Sequence, residues 1–230
     1  LEGQTIESII VIRQHDQLGD MLCAVPLLRA VRTAFPRARI TLVASRVNFE
    51  IMRNHPYCDE VLNYPKGNLL ALFLPLRKFL RSVRSRRYDL AIVPATVSVS
   101  TTSCMLALLA RARIRIGPGS LNGLPNPNAF CFTSPVDLHW ADEPRRHQTL
   151  RNLDILLPMG IRTGDLSTVI GLAPEETGRA RKFLAPHRAR FTMLIGFHPG
   201  AGKTANRWDS RRFASLANRL ARECHAGIVV

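Results

Sequence analysis

The sequence predicts an α/β protein built on a parallel β-sheet, and three observations lead to that prediction. Short β-branched runs alternate with segments of helical periodicity along most of the 230 residues. The composition, 46% hydrophobic and 21% charged, is that of an ordinary globular protein and argues against disorder as the main state. The longest apolar run, residues 69–76, includes Pro75 and is far shorter than the ~20 residues of a membrane-spanning helix.

The first segments predict a strand, a loop and a helix. Residues 8–13 form a β-branched run typical of a buried parallel strand, and a polar loop covers 14–20. Apolar residues then recur at three- and four-residue steps, which predicts a helix that ends at Phe35 because Pro36 follows it. Pro26 lies inside this pattern and indicates either a kink or a helix start close to it.

The alternation continues towards residue 160. Strands are predicted over 39–44, 60–62, 88–93 and 112–116, and helices over 48–54, 69–87, 100–110 and 144–157. Residues 117–140 are rich in Gly, Pro and Asn and are expected to form a long surface loop. This order of elements indicates βαβ units and a parallel sheet covered on both faces.

The pattern restarts near residue 191. A strand over 191–197, a Gly-rich loop, a helix over 209–224 and the start of a strand at 227 make only part of a Rossmann-like half. We therefore expect an N-terminal domain over 1–160, a linker with one short helix over 161–190, and an incomplete second domain over 191–230. On this interpretation the chain is a truncation.

The charge balance indicates an anionic partner. Lys and Arg number 32 against 17 Asp and Glu, a net charge of +15, which fits nucleic acid, a phospholipid surface or a phosphorylated substrate. The basic helix that ends near residue 87 is either a solvated face or a patch for anionic lipid or nucleic acid. The five scattered cysteines predict neither a disulfide framework nor a zinc site and fit a reducing cytoplasm.

The first candidate motif is Leu18-Gly19-Asp20, at the junction of strand and helix. We expect Gly19 to permit a tight turn and Asp20 to lie near the helix N-terminus. Asp20 either caps the helix or lies exposed beyond the strand ends, where it can act as a general base.

The second candidate motif runs from His198 to Trp208. Its glycines allow backbone amides to approach a phosphate, and Lys203 and Arg207 can supply cations to a diphosphate. Phe197 stands where a Walker A loop needs its first glycine, so that motif is excluded. The alternative is a solvated loop with incidental charges.

Three stretches, in order, resemble the bacterial heptosyltransferases of glycosyltransferase family nine. They are Ile12 to Asp20 with residues 26–40, His147 to Gly160, and His198-Pro199-Gly200-Ala201 with Arg207-Trp208 and the helix at 212–217. The resemblance implies a GT-B architecture of two Rossmann-like domains, with the acceptor on the N-terminal one. It implies an inverting transfer of heptose from a nucleotide-sugar such as ADP-heptose to a lipopolysaccharide core acceptor.

The resemblance also implies roles for individual residues. Asp20 is the catalytic base, and Arg13 and Gly19 lie on the acceptor side. The residues expected near the donor phosphates are His198, Gly200, Ala201, Gly202, Lys203, Thr204 and Arg207. Family members often carry Lys where this chain has Asn206, so phosphate contact falls to Lys203 or Arg207.

The expected partners are a nucleotide-sugar, a lipid-linked saccharide and the anionic cytoplasmic face of the inner membrane, without cofactor, protein-bound metal or nucleic acid. His139 and His147 flank Asp142 and Glu143 in a spacing that matches no standard set of metal ligands. The alternatives are a basic nucleic-acid-binding α/β domain, a non-catalytic nucleotide-binding module, and a glycosyltransferase for another bacterial glycan.

Overall fold

The computed structural model describes residues 5–67 and 69–230 and divides the chain into two compact units, the first ending at Gly171 and the second spanning Leu172–Val230. The strands of the first unit are β1 (Ser8–Arg13), β2 (Arg39–Ser45), β3 (Glu60–Tyr64), β4 (Leu90–Ile92), β5 (Ile114–Leu121), β6 (Leu124–Pro125) and β7 (Ser134–Leu138). Its α-helices are α1 (Leu18–Leu22), α2 (Val25–Ala34), α3 (Arg46–Met52), α4 (Leu69–Arg84), α5 (Thr101–Leu109) and α6 (Gln148–Asp154).

The sheet of the first unit has the order β3-β2-β1-β4-β5, and every pair in that series is parallel. The central strand β1 pairs with β2 on one side, Ile10 opposite Thr41, and with β4 on the other, Ile10 opposite Ala91. This is the doubly wound order, in which the build direction reverses between β1 and β4. The predicted parallel α/β fold is confirmed.

Alternate side chains of β1 enter two separate apolar cores. Ile9 and Val11 belong to the core that also holds Leu28 and Val31 of α2. Ile10 and Ile12 belong to the opposite core, together with apolar side chains of α4 and α5 such as Phe79, Val83, Cys104 and Ala107. Because β1 is buried on both faces, its sequence is a continuous apolar run rather than an alternating one.

The predicted helix over 18–35 is in fact two helices. α1 ends at Leu22 and α2 begins at Val25, with Pro26 in its first turn. Proline is tolerated there because the first amides of a helix have no intrahelical partner. The break therefore lies on the N-terminal side of Pro26, and Phe35 ends α2 as predicted.

The expectation of a long surface loop over 117–140 is wrong. β5 continues to Leu121, and Asn122 and Gly123, both at positive φ, turn the chain into β6. The pattern matches a type I′ hairpin, for which Asn-Gly is the preferred pair. β7 then adds to β5 in parallel. A short 3-10 helix, Ala129–Cys131, lies between β6 and β7 in the sequence.

The second unit contains α7 (Pro174–Arg190), β8 (Met193–Gly196), α8 (Ser210–Glu223) and β9 (Ala226–Val229), and β8 pairs with β9 in parallel. The division after Gly171 falls within the predicted linker, whose helix is 17 residues long rather than short. The part of the predicted linker that precedes the division belongs to the first unit, where the carboxylate of Asp165 lies 2.9 Å from the guanidinium of Arg29 in α2. All five cysteines are free. None of the described helices is both long and apolar enough to cross a membrane.

The close packing of Gly117 against Phe132 leads to a prediction about the stability of the fold. A Cβ added at Gly117 would meet the ring of buried Phe132, so Gly117→Ala requires the ring or the strand to shift. We expect a loss of about 1–3 kcal/mol in the free energy of unfolding, measured by urea denaturation. Gly164→Ala is the control, since open space surrounds that position, and should change stability by less than about 0.5 kcal/mol. Equal stability of the two variants would contradict the packing of β5.

Candidate functional site

A cavity of about 360 Å³ opens where the strands β1 and β4 end. Its lining comes from three loops: the β1–α1 loop and the start of α1, the segment after β3, and the segment after β4. The lining residues are Arg13, Gln14, His15, Asp16, Gln17, Asp20, Lys66, Thr96, Val97 and Ser98. The reversal of strand order between β1 and β4 leaves a crevice at their carboxyl ends, which is where open α/β sheets bind ligands.

Asp20 lies in the first turn of α1 and lines the cavity with a partly exposed side chain. The N-cap is Gln17, and no side chain caps the helix. Across residues 5–67 and 69–230, no hydrogen-bond partner holds the Asp20 carboxylate. The carboxylate is therefore not used as a cap within the described chain.

The expectation that Gly19 permits a tight turn is wrong. This residue lies inside α1, its φ is not positive, and nothing lies within 4 Å of a Cβ added there. Neither the backbone conformation nor packing within the chain requires glycine at this position. What the glycine provides is exposed, unobstructed backbone directly beside Asp20.

Arg13 lies at the base of the cavity and is only 3% exposed. Its Nη1 is 3.5 Å from His15 Nδ1, and its Nε and Nη2 are buried without a hydrogen-bond partner in the described chain. Burial lowers the pKa of the Arg13 guanidinium, and the Asp20 carboxylate opposes that shift. Burial also lowers the pKa of His15, and the charges of Arg13 and Lys66 lower it further. His15 is thus held towards its neutral form beside the two cations.

Contacts to three other elements fix the β1–α1 loop. Asn48 of α3, itself buried, donates from Nδ2 to the backbone oxygen of His15 at 2.7 Å. Gln14 donates from Nε2 to Ser100 Oγ at 3.1 Å, and the same hydroxyl caps α5. Lys66, on the loop after β3, donates to Asp16 Oδ2 at 2.8 Å. Its hydrogen bond is the main cause of the lowered pKa of Asp16.

Several lining residues received no role from sequence reasoning. Lys66 and the segment 96–98 come from distant parts of the chain, yet both follow strands that run parallel to β1. Their place in the sequence, directly after a predicted strand, is the feature that could have identified them, because the carboxyl ends of parallel strands meet at one edge of the sheet. Arg13 and Asp20, which were predicted, line the same cavity as these residues.

The predicted phosphate-binding residues belong to the second unit. The loop after β8 is mostly exposed, and residues Thr204–Asn206 form a short 3-10 turn that Lys203 precedes. Arg207 donates from Nε to the backbone oxygen of Ala201 at 2.9 Å, which closes the loop and leaves its two terminal nitrogens available. The side chain of Lys203 has no partner in the part of the chain that the structure describes. The loop thus presents two cations and backbone amides from its glycines to solvent.

The N-terminus of α8 is already occupied. Asp209 is the N-cap, and its Oδ1 accepts from the amides of Arg211 at 2.9 Å and Arg212 at 3.2 Å. The Asp209 carboxylate thus satisfies two of the free amides at this helix end. Trp208 is 45% exposed and packs edge-on against Phe213.

Residues 5–67 and 69–230 include no group of three or more His, Cys, Asp or Glu side chains placed to hold a metal ion. His139 and Asp142, which stand close in sequence, form an exposed pair at 3.2 Å.

Comparison with curated proteins finds relatives of one kind. Two proteins named lipopolysaccharide heptosyltransferase 3, from Escherichia coli and its strain K12, are each 24% identical to the chain over 213 and 216 residues. The alignments cover 88% of this chain and 57% of each relative, so the chain spans little more than half of their length. No family profile matches the chain.

Solved structures place the fold in a class. A family 9 glycosyl transferase from Veillonella parvula aligns with a TM-score of 0.78 at 24% identity, covering 96% of this chain and 61% of that one. The Escherichia coli heptosyltransferase WaaC, solved with ADP-2-deoxy-2-fluoro heptose, gives 0.68 at 15% identity, covering 96% and 68%. The fold is that of the GT-B-type glycosyltransferases, and the predicted fold class is confirmed. ADP-heptose lipopolysaccharide heptosyltransferase II from Escherichia coli is a further neighbour, at TM-score 0.60 and 22% identity over 96% and 63% of the two chains.

The ion pair at the cavity gives a prediction about pKa values. Lys66→Gln removes a hydrogen bond that lowers the pKa of Asp16 and a charge that lowers the pKa of His15. Both pKa values should rise towards their ordinary values, about 3.9 and about 6.5, in an NMR titration. Because the Asp16 pKa is lowered in the folded chain, the pair adds stability above the ordinary carboxyl pKa and loses it on acidification.

The control for this titration is Lys78→Gln, which removes the same charge from the exposed side of α4. It should leave both pKa values in place. If Lys66→Gln shifted neither group, the placement of Lys66 over the cavity would be wrong.

Proposed function

We propose that the chain is the acceptor-binding part, with the start of the donor-binding part, of an inverting heptosyltransferase. The reaction moves heptose from a nucleotide-sugar such as ADP-heptose to a lipopolysaccharide core acceptor. The observation that carries the proposal is the Asp20 carboxylate, which has no hydrogen-bond partner among the described residues and lines the cavity between β1 and β4 of a GT-B-type fold. The names of the relatives and the ADP-sugar analogue bound by one structural neighbour support the donor class.

The proposed chemistry is a single displacement at the anomeric carbon. The acceptor hydroxyl attacks that carbon, its proton passes to the Asp20 carboxylate, and the bond from carbon to the diphosphate oxygen breaks. The electron pair leaves with the nucleoside diphosphate. A base in this role must be ionised and free of internal hydrogen bonds, and the exposed backbone of Gly19 leaves room for an acceptor beside it.

Arg13 is proposed as a positioning residue beneath this base. Burial lowers the pKa of the Arg13 guanidinium and the charge of the Asp20 carboxylate raises it, so the two side chains interact electrostatically. The charge of Arg13 also lowers the pKa of His15, which favours the neutral imidazole. The arrangement leaves Asp20 as the carboxylate that can take the proton, since Asp16 is engaged by Lys66.

On the donor side, charge develops on the leaving diphosphate. We assign its stabilisation to the backbone amides of 200–204, to Lys203 and to the free nitrogens of Arg207. The capped α8 has no part in this assignment. The acceptor is proposed to be a lipid-linked saccharide, which places the reaction at the cytoplasmic face of the inner membrane.

The base assignment predicts a large loss of activity in one variant. Asp20→Asn in the full-length protein should reduce transfer from ADP-heptose by about 10²–10⁴-fold, the range for loss of a positioned base. Thermal unfolding should be unchanged within the error of the scan, because no internal hydrogen bond of Asp20 is lost. Asp142→Asn, at a 90% exposed side chain, is the matched control and should retain full activity. Asp20→Asn activity within a few-fold of wild type would refute the role.

The donor assignment predicts a loss of nucleotide binding in the second unit. Lys203→Gln combined with Arg207→Gln should raise the Kd for ADP by about a hundredfold or more, since each of the two charge-assisted hydrogen bonds contributes about 1.5–3 kcal/mol. Titration calorimetry measures the change. Arg219→Gln with Arg222→Gln, on the exposed side of α8, removes the same charge and should leave the Kd unchanged. Equal effects of the two pairs would show that only bulk charge matters.

A further inference from the structure

The outer face of α4 combines exposed apolar and basic side chains. Phe73 is 68% exposed and Leu74 is 71% exposed, whereas Phe79 and Val83 on the inner face are buried in the core. Arg77, Arg81 and Arg84 follow Phe73 at steps of three or four residues and are exposed as well. We call these five exposed residues, Phe73, Leu74, Arg77, Arg81 and Arg84, the α4 surface.

The α4 surface borders a groove of about 570 Å³. Three apolar side chains and three guanidinium groups contribute most of its lining. The lining residues are Phe73, Leu76, Arg77, Leu80, Arg81, Arg84 and Ser85. An apolar groove bordered by cations matches a molecule that has a hydrocarbon part and an anionic part.

The charge of this region is unopposed along the helix. Residues 69–88 contain six Lys or Arg and no Asp or Glu. None of Arg77, Lys78, Arg81 and Arg84 pairs with an acidic side chain in the described part of the chain. Charge on the helix is therefore available to a partner and is not consumed by ion pairs.

The basic region extends past the end of α4. Arg84 also lines a second groove, of about 560 Å³, with Arg87, Arg111 and Arg113. Some of the charge there is paired, since Arg86 lies 2.7 Å from Glu60 and Arg113 lies 3.9 Å from Asp89. Arg84 thus connects the apolar, basic face of α4 to a wider basic surface of the same unit.

We propose that the α4 surface docks the protein on an anionic phospholipid bilayer. Phe73 and Leu74 enter the boundary between head groups and acyl chains, and Arg77, Arg81 and Arg84 bind lipid phosphates. An interfacial helix needs this combination of exposed large apolar side chains and cations, and two signals together give stable binding. The inference concerns a surface and not the reaction, so it stands or fails independently of the proposed function.

A bilayer explains the α4 surface better than nucleic acid does. Cations alone would serve a phosphate backbone, and one aromatic ring could stack on an unpaired base. Leu74 and the apolar lining from Leu76 and Leu80 have no partner in that arrangement. Hydrocarbon provides one, and phospholipid phosphates complement the guanidinium groups.

The test is flotation of the chain with vesicles of phosphatidylethanolamine and phosphatidylglycerol, compared with phosphatidylcholine vesicles. We expect binding to the anionic vesicles only. Arg77, Arg81 and Arg84 all changed to Gln should weaken it by about a hundred-fold, since each cation near an anionic surface contributes about 1 kcal/mol, or about fivefold. Phe73→Ser with Leu74→Ser should weaken it as well, and should do so in high salt, where screening leaves the apolar contribution.

The matched control changes Arg179, Arg181 and Lys182 of α7 to Gln. These residues are also exposed and helical, and the variant removes the same total charge. It should bind like the parent chain. All substituted side chains are exposed, and circular dichroism and thermal unfolding verify that each variant folds. Asp20→Asn should float like the parent, which separates docking from catalysis.

A spectroscopic readout locates the contact. The tryptophan fluorescence of the Phe73→Trp variant, after subtraction of the parent chain's fluorescence, should shift to shorter wavelength when the protein binds anionic vesicles. Lipids brominated along the acyl chain should quench this fluorescence. Absence of vesicle binding, or equal loss in the α7 control, would overturn the proposal. Binding to single-stranded or duplex DNA at physiological salt that depends on the α4 surface, without vesicle binding, would assign this face to nucleic acid instead.

Discussion

The parallel pairing of β1 with β2 and β4 is the constraint on which the rest of the first unit depends. β1 is buried on both faces, so its alternate side chains seed two cores and its register is fixed by both. The loops after β1, β3 and β4 consequently emerge at one edge of the sheet. Asp20, Lys66 and the segment 96–98 meet there although they are distant in sequence. The cavity is a product of strand order and direction.

The electrostatics of that edge rest on Arg13, the last residue of β1. Burying a guanidinium with two nitrogens unsatisfied by the described chain is costly, and burial lowers its pKa accordingly. The nearby Asp20 carboxylate offsets part of that cost. Lys66 engages Asp16 and adds to the charge that keeps His15 neutral. Of the two acidic side chains that line the cavity, Asp20 is the one without a hydrogen-bond partner among the described residues.

Sequence reasoning predicted the elements in which local pattern and tertiary environment agree. Sequence patterns correctly indicate the run that forms β1, the position of Asp20 near a helix N-terminus and the end of α2 at Phe35, which Pro36 follows. The prediction fails where overall composition and the order of particular residues indicate different structures. The Gly, Pro and Asn content of residues 117–140 predicts a loop, whereas the adjacent pair Asn122-Gly123 indicates a hairpin, which is what the structure contains. Lys66 could not be assigned from local pattern, because only the order of strands brings it to Asp16. The capping of α8 by Asp209 likewise depends on a side-chain rotamer that spacing does not determine.

The central claim is that one carboxylate, Asp20, drives a single displacement, with no covalent intermediate on the protein. The anomeric configuration of the product tests it most directly. NMR spectroscopy of the first product formed from ADP-heptose of known configuration, by the full-length protein, determines it before any later exchange. The account predicts inversion at the anomeric carbon. Retention of configuration would contradict it, because retention requires a second displacement or a different geometry of attack at the same cavity.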